Sequence, residues 1–213
     1  MRISKFTLNP IEENIYILWD ESSKDAVIID AGMMNMADCN IIDNFIYDNH
    51  LNLKRQLYTH LHIDHCAGAS HITQKYGLIP EYAKEEEILG AQIQQQANGM
   101  GLCIQAPSLK GYKELKEGDV ILLGVEQIKC IQVPGHSPGS ILFYAPLSSA
   151  LFSGDVLFQN SIGRTDLLGG NFEQLVEGIH KKILPLPEDT IVYPGHGDNT
   201  TIYDEKKYNP FLK

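Results

Sequence analysis

The chain has 213 residues, of which 43% are hydrophobic and 21% charged, so it is long enough and apolar enough for one substantial core. Its formal net charge of −10 argues against a nucleic-acid-binding surface, which would show clustered basic residues. No apolar run approaches the length of a membrane span and no secretory signal is visible, so we expect a cytoplasmic protein without a nucleic-acid or membrane partner.

The first part of the chain combines strand and helix patterns. Apolar runs bounded by turn residues predict three strands, at Ile3–Leu8, Asn14–Trp19 and Asp25–Ile29. Apolar residues at helical spacing then predict a helix over Met36–His50. A further short strand is expected at Arg55–Thr59.

The middle of the chain is less regular. A short helix is predicted over Ala69–Tyr76, where Gly77 ends it, and a strand over Leu78–Tyr82. The following segment, Lys84–Met100, is polar and rich in glutamine, so we expect a solvated surface helix.

The second part repeats the order of strands followed by a helix. Strands are predicted at Asp119–Leu123, Glu126–Val133, Ser140–Tyr144, Ala150–Phe152 and Thr190–Tyr193, and an amphipathic helix at Asn171–Leu184. No linker or shift in composition separates the two parts. We therefore predict one domain over residues 1–213, with an α/β architecture of two β/α halves packed sheet to sheet and helices outside.

Four potential metal ligands lie within six residues, on the loop that leaves the strand predicted at Arg55–Thr59: His60, His62, Asp64 and His65. If this loop stays extended, His60 and His62 point the same way, and the other two can turn to a different side.

Three more potential ligands each follow a β-rich run and lie beside a glycine. These residues are His136, Asp155 and His196. Together the chain offers five histidines and two aspartates, which is enough for two metal ions that share a carboxylate. Ligands of this kind, without thiolates, suit zinc and also iron or manganese.

As a set, these seven residues match the ligand signature of the metallo-β-lactamase superfamily, which the chain resembles from Asp30 to its end. The resemblance implies a four-layer αββα sandwich and two divalent metal ions. It assigns His60, His62 and His136 to one metal, and Asp64, His65 and His196 to the other, with Asp155 bridging. Asp64 and Asp155 are then the candidate catalytic residues. Two such ions can provide a hydroxide at neutral pH and polarise a carbonyl.

Within the superfamily, residues 158–170 resemble the short glyoxalase II-like hydrolases of bacteria, through Gly163-Arg164-Thr165-Asp166 and Gly169-Gly170. This implies hydrolysis of a small thioester such as S-lactoylglutathione. The longer glyoxalase II enzymes have a further helical region after the last ligand that helps to hold glutathione. This sequence ends at Lys213, so recognition of glutathione stays open.

Three alternatives remain. Persulfide dioxygenases share the Gly163–Asp166 motif, but they use one iron ion and typically carry Ala-His-Asp where this chain has Gly195-His196-Gly197. Another hydrolase of the same fold, such as a lactonase, is the second alternative, and a metal-binding module without catalysis is the third. The resemblance argues against β-lactamases, which usually lack a histidine at the position of His65 and place a cysteine near the second metal.

Several residues have two interpretations from sequence. Arg164 either meets a substrate carboxylate through paired hydrogen bonds or forms an ion pair with Asp166. Asp30 either caps a turn or supports the metal loop. We expect Cys66 to be a small buried residue and His71 and His180 to be surface or packing residues, so none of the three is a predicted ligand.

Overall fold

The computed structural model describes residues 1–213, and its first half forms a six-stranded sheet in sequential strand order. Its strands are β1 (Arg2–Leu8), β2 (Glu13–Trp19), β3 (Asp25–Ile29), β4 (Asn52–Leu57), β5 (Pro80–Tyr82) and β6 (Lys113–Glu114). The strands β1 to β3 pair antiparallel, and β3 to β6 pair parallel. Parallel neighbours need crossover connections, and helices of the first half provide them.

The second half forms another six-stranded sheet, with strand order β14-β13-β10-β9-β8-β7. These strands are β7 (Val120–Leu123), β8 (Glu126–Gln132), β9 (Ile141–Ala145), β10 (Ala150–Gly154), β13 (Ile191–Pro194) and β14 (Thr200–Thr201). A separate hairpin joins β11 (Leu157–Phe158) to β12 (Ser161–Ile162). In the six-stranded sheet of the second half, only β10 and β13 pair parallel.

The α-helices are α1 (Met36–Asp48), α2 (Ile63–Cys66), α3 (Ala69–Tyr76), α4 (Glu87–Gly90), α5 (Ile93–Gly99), α6 (Phe172–Gly178) and α7 (Ile202–Tyr208). A π-helical segment, Ile179–Ile183, continues α6. None of these helices combines the length and the apolar character that crossing a lipid bilayer requires.

Side chains of β2 show how the layers form. Ile15 and Ile17 belong to a core cluster with α1, α3 and α5, whereas Tyr16 and Leu18 belong to a second cluster with the other sheet. Because side chains alternate along a strand, β2 is buried on both faces. A third cluster packs α6 and α7 on the outer face of the second sheet. The four layers are therefore helix, sheet, sheet and helix, as the resemblance implied.

Most predicted elements are confirmed, with β3 and α3 at the predicted bounds. The helix α1 ends at Asp48 instead of His50, which adopts a positive φ of 56°. The strand β4 covers Asn52–Leu57 instead of Arg55–Thr59, so the metal loop starts earlier than predicted. The single-domain assignment stays a prediction, which the core cluster between the two sheets favours.

The prediction of one solvated helix over Lys84–Met100 is wrong. The segment forms a 3-10 turn (Lys84–Glu86) followed by the short helices α4 and α5. Glu86 and Leu89 are buried, and a side chain at Gly90 would meet Leu61 of the metal loop at 3.2 Å. The side chains of Glu86 and Gln96 form hydrogen bonds inside the protein, which a hydropathy pattern cannot distinguish from solvation.

Candidate metal centre

All seven predicted ligands meet where loops from the two sheets converge. His60 and His62 follow β4, and Asp64 and His65 lie on the one-turn helix α2. The other three follow β8, β10 and β13, so the second sheet supplies His136, Asp155 and His196. The sequence expectation that these residues come together is therefore met in the structure.

The first cluster consists of His60, His62 and His136. The Nε2 atom of His136 lies 3.3 Å from Nε2 of His60 and 3.1 Å from Nδ1 of His62. All three side chains are buried. The three nitrogens converge on one point, as ligands around a common cation would.

The second cluster consists of Asp64, His65 and His196, and Asp155 lies between the two clusters. Oδ2 of Asp64 is 3.2 Å from His196 Nε2 and 3.9 Å from His65 Nε2. The carboxylate of Asp155 lies 3.4 Å from His65 Nε2, 3.8 Å from His196 Nε2 and 3.7 Å from His136 Nε2. Asp155 is thus in contact range of both clusters, as a bridging ligand must be.

The remaining ring nitrogen of four histidines has its own partner. Nδ1 of His60 contacts Thr59 Oγ1 at 3.0 Å, and Nδ1 of His65 contacts Asp30 Oδ2 at 3.0 Å. His136 contacts the carbonyl oxygen of Arg164 at 2.9 Å, and His196 contacts that of Glu12 at 3.3 Å. A partner on Nδ1 fixes the ring and leaves Nε2 free for a metal.

Asp30 supports the metal loop rather than only capping a turn. Its Oδ1 accepts the Thr59 N–H at 2.7 Å, and its Oδ2 accepts the Thr59 hydroxyl at 2.7 Å in addition to its contact with His65. Asp30 adopts a positive φ of 53° and is 2% exposed. One buried carboxylate therefore holds Thr59, at the start of the ligand loop, and His65, at its end.

Burial keeps the first cluster neutral. It lowers the pKa of His60 well below the usual 6.5, an effect reinforced by the charge of His65, and it lowers the pKa of His62 to about 4. Burial also lowers the pKa of His136, against the opposing effect of Asp155. Neutral imidazole is the form that binds metal, so these nitrogens are available at neutral pH.

The second cluster is charged. Burial alone would lower the pKa of His65, but Asp155 and Asp64 hold it well above 6.5, and the same carboxylates raise the pKa of His196. Burial favours the protonated form of Asp155, yet His65 above all lowers the pKa of this carboxyl group far below its usual value. A cation that binds here must displace these protons.

Several buried polar atoms at the centre have no hydrogen-bond partner. They include His65 Nε2, Asp64 Oδ1 and Asp155 Oδ1. Buried polar atoms nearly always have a hydrogen-bond partner. Unpartnered atoms that converge from both ligand clusters therefore fit a pair of bound cations. Gly195 adds to this fit, because a Cβ there would lie 2.3 Å from Asp155 Oδ1 and 2.6 Å from His65. The residues present thus suit a divalent metal pair.

Sequence analysis missed the residue that connects the loops of the first cluster. Glu86 is fully buried, and its Oε2 accepts the Leu61 N–H at 2.8 Å, between His60 and His62. Its Oε1 accepts the Ser137 hydroxyl at 2.6 Å and the Gly139 N–H at 2.7 Å, next to His136. No pattern within the polar segment Lys84–Met100 marks this glutamate.

Asn14 performs a similar task for His196. Its side-chain amide donates to the carbonyl oxygens of Pro194 and Gly197, each at 3.0 Å, and its backbone N–H donates to Gly195 at 2.7 Å. The loop that carries His196 is therefore bound to the start of β2. The neighbouring Glu13 is fully buried with both carboxylate oxygens unpartnered, 3.9 Å from His65 Nδ1.

The Arg164 side chain does not point at the ligands. Its guanidinium donates two hydrogen bonds to Asp166, at 2.7 and 2.8 Å, and the side chain is 61% exposed. Only its backbone carbonyl reaches the centre, at His136. The ion-pair interpretation thus describes this structure, and contact with a substrate stays a prediction.

The three residues that were left out of the ligand set are located elsewhere. Cys66 is fully buried, and its thiol donates to the carbonyl oxygen of His62. His71 lies 2.9 Å from Asp43 on the outer layer, and His180 is exposed.

Two grooves flank the centre. The His62 groove has a volume of about 290 Å³ and is lined by His62, Leu89, Gln92, Gln95, Gln96, Gly99, Met100, Leu167 and Leu168. The His196 groove, of about 400 Å³, is lined by Phe158, Gln159, Ser161, His196, Gly197 and Asp198. The segment expected to be a surface helix therefore forms one wall of the site.

Comparison with known proteins agrees with this geometry. The family described as the metallo-beta-lactamase superfamily matches residues 8–196. A protein of Haemophilus influenzae named hydroxyacylglutathione hydrolase GloC is 36% identical over 213 residues, which cover 100% of this chain and 98% of that protein.

Two solved structures are also similar over nearly their whole length. The B3 metallo-beta-lactamase BLEG-1 is 35% identical with a TM-score of 0.89, covering 100% of both chains. A protein crystallised in a di-iron-bound form is 33% identical with a TM-score of 0.88, covering 98% of this chain and 100% of that one. On its sequence, fold and ligand clusters, the chain belongs to the metallo-beta-lactamase superfamily and is a metallo-hydrolase of that family.

Proposed function

We propose that this chain hydrolyses acyl thioesters of the S-lactoylglutathione type, with zinc as the native metal and iron or manganese as the alternatives. The observation that carries the proposal is the pair of adjoining ligand clusters with Asp155 between them. The relative named hydroxyacylglutathione hydrolase supports the substrate class, since it matches the full length of the chain.

Each ligand cluster would hold one metal ion. His60, His62 and His136 would hold one cation, Asp64, His65 and His196 the other, and Asp155 both. When bound, such a pair supplies a hydroxide nucleophile and a Lewis acid for the thioester carbonyl. Asp64 and Asp155 offset the positive charge that collects at the centre, while Asp30 and Thr59 keep His60 and His65 in place.

The two grooves give a thioester room on both sides of the centre. The thioester carbonyl would then lie at the ligands, with the rest of the acyl group in one groove and the thiol carrier in the other. Arg164 remains our candidate for a substrate carboxylate, provided that it leaves Asp166. The cytoplasmic location is also part of the proposal, and the four free cysteines support it because thiols persist in a reducing compartment.

β-Lactam hydrolysis is the second candidate, since BLEG-1 carries the name of a B3 metallo-beta-lactamase at 35% identity. This similarity weakens the sequence argument against β-lactams. Both reactions transfer an acyl group to water, so the same ligand clusters serve either one.

A three-substrate comparison tests the proposal. Protein purified with its native metals is assayed for thiol release from S-lactoylglutathione, for opening of the β-lactam nitrocefin, and for oxygen uptake with glutathione persulfide. We expect thiol release without oxygen uptake, and its loss in Asp155→Asn. Oxygen uptake without thioester turnover would instead establish a dioxygenase, and turnover of nitrocefin alone a β-lactamase.

A further inference from the structure

The two grooves differ in their chemistry. Apart from His62 itself, the His62 groove contains no ionisable side chain, and its walls include Leu89, Met100, Leu167 and Leu168. The His196 groove contains Asp198 and the polar side chains of Gln159 and Ser161. A ligand that spans the centre therefore meets an apolar surface on one side and a polar surface on the other.

The polar atoms along the His62 groove are few and partly occupied. Gln96 accepts the Ile63 N–H at 3.0 Å and donates to the Leu89 carbonyl at 3.1 Å. Its amide is therefore already hydrogen-bonded within the protein. Gln92 and Gln95 contribute neutral amides. An ionised ligand group placed here would lose its hydration and gain no opposite charge, which is strongly unfavourable.

The His196 groove accepts charge more readily. The exposed ammonium group of Lys5 lies at its edge, donating to the Gly197 carbonyl at 2.8 Å. Glutathione and similar soluble thiol carriers bear carboxylates, for which Lys5 offers a cation, and an ammonium group, for which Asp198 offers an anion. They therefore fit the His196 groove, which leaves the His62 groove for the other half of the thioester.

We infer that the His62 groove binds the acyl group of the substrate and that the preferred acyl group is apolar and longer than lactoyl; this inference rests on the proposed thioesterase activity. A volume of about 290 Å³ equals that of roughly ten liquid water molecules, far more than a lactoyl group fills. Each methylene group that becomes fully buried strengthens binding by about fourfold at most.

The first test varies the acyl group on a constant carrier. Acetyl-, lactoyl-, butyryl- and hexanoyl-glutathione are compared by kcat/KM. We expect a gain of at least about tenfold from acetyl to hexanoyl, because the added methylenes are only partly buried in an open groove. Met100→Gln keeps the size of the side chain but makes it polar, so it should reduce this gain. Met36→Gln is the matched control, because Met36 is 65% exposed at the start of α1 and lines neither groove.

The second test measures binding without turnover. Calorimetry compares S-hexylglutathione with S-methylglutathione, which are thioethers that cannot be hydrolysed. We expect the hexyl compound to bind at least about tenfold more tightly to the wild type and to Met36→Gln, and the preference to shrink in Met100→Gln.

The two tests separate the inference from the proposed function. Hydrolysis of all four thioesters at similar kcat/KM, with equal binding of both thioethers, would overturn the assignment of the groove and leave the thioesterase in place. A hexyl preference that Met100→Gln removes, in a protein that hydrolyses none of the thioesters, would refute the thioesterase and with it the acyl assignment.

Discussion

Replacing Glu86 with glutamine tests whether one buried carboxylate holds the first ligand cluster together. The carboxylate accepts three hydrogen bonds, from Leu61, Ser137 and Gly139. Glutamine retains one acceptor oxygen and turns an NH2 group toward N–H or O–H donors. At least one bond to a charged acceptor is lost, and such a bond contributes about 1.5–3 kcal/mol.

Part of this loss is recovered. Burial raises the pKa of Glu86, against the lowering effect of its hydrogen bonds, so the ionised form is disfavoured in the fold and neutral glutamine avoids that penalty. We expect a net loss of about 1–3 kcal/mol in the free energy of unfolding. For a chain of this size, each kcal/mol lowers Tm by about 2–4 °C, so Tm should fall by roughly 2–12 °C.

The decisive measurement is metal retention. Wild type and Glu86→Gln are dialysed against graded concentrations of a chelator, and bound metal is determined by elemental analysis. The variant should lose one equivalent at a lower chelator concentration, since the loops of His60, His62 and His136 are no longer joined. Glu87→Gln is the control, because Glu87 is the exposed neighbour on the same segment. If Glu86→Gln matches Glu87→Gln in both Tm and metal retention, Glu86 does not position the ligands.

Three further predictions concern other parts of the molecule. Wild-type protein should contain two metal equivalents per chain and Asp155→Asn fewer than one by elemental analysis, because this carboxylate contacts histidines of both clusters; a reproducible single iron in the wild type would contradict the two-metal site. Arg164→Ala should leave metal content unchanged and alter the free energy of unfolding by less than about 1 kcal/mol, because its ion pair is exposed; a rise in KM confined to thioesters that carry a carboxylate would identify recognition, and an equal effect on a neutral thioester would exclude it. Burial raises the pKa of Asp43, but Lys75, Tyr76 and His71 together lower it below 3.8. A carboxyl group with a depressed pKa stabilises the fold above its unfolded pKa and loses this effect as pH falls through the folded value. Asp43→Asn should therefore lower Tm at pH 7, and the difference from the wild type should narrow below about pH 4; a constant difference across pH would refute this assignment.

The sequence predicted the parts of the fold that repeat a simple pattern. For β2, the apolar run predicted a strand at Asn14–Trp19, and the structure confirms it at Glu13–Trp19. The ligands could be found because histidine and aspartate next to strand-ending glycines are rare and chemically distinctive. Their grouping came from the family resemblance, since spacing alone did not show which loops meet.

What sequence analysis missed depends on long-range contacts. Glu86 lies in a polar segment, where a buried hydrogen-bonding carboxylate and a solvated one look the same in the sequence. The role of Asn14 requires knowing that β2 adjoins the loop around His196, 182 residues further along the chain. For Arg164, both interpretations fit the sequence, and only the structure shows that its guanidinium donates hydrogen bonds to Asp166.

The bond between β2 and the His196 loop has a consequence for biosynthesis. A ribosome adds residues in order, so His60, His62 and His136 are all in the chain before His196 is made. The second cluster needs His196 together with Asn14, from opposite ends of the chain. Closing so long a loop is entropically slow compared with forming local contacts. The second cluster therefore closes only after the residues of the first cluster have been made, once the His196 loop can bind the start of β2.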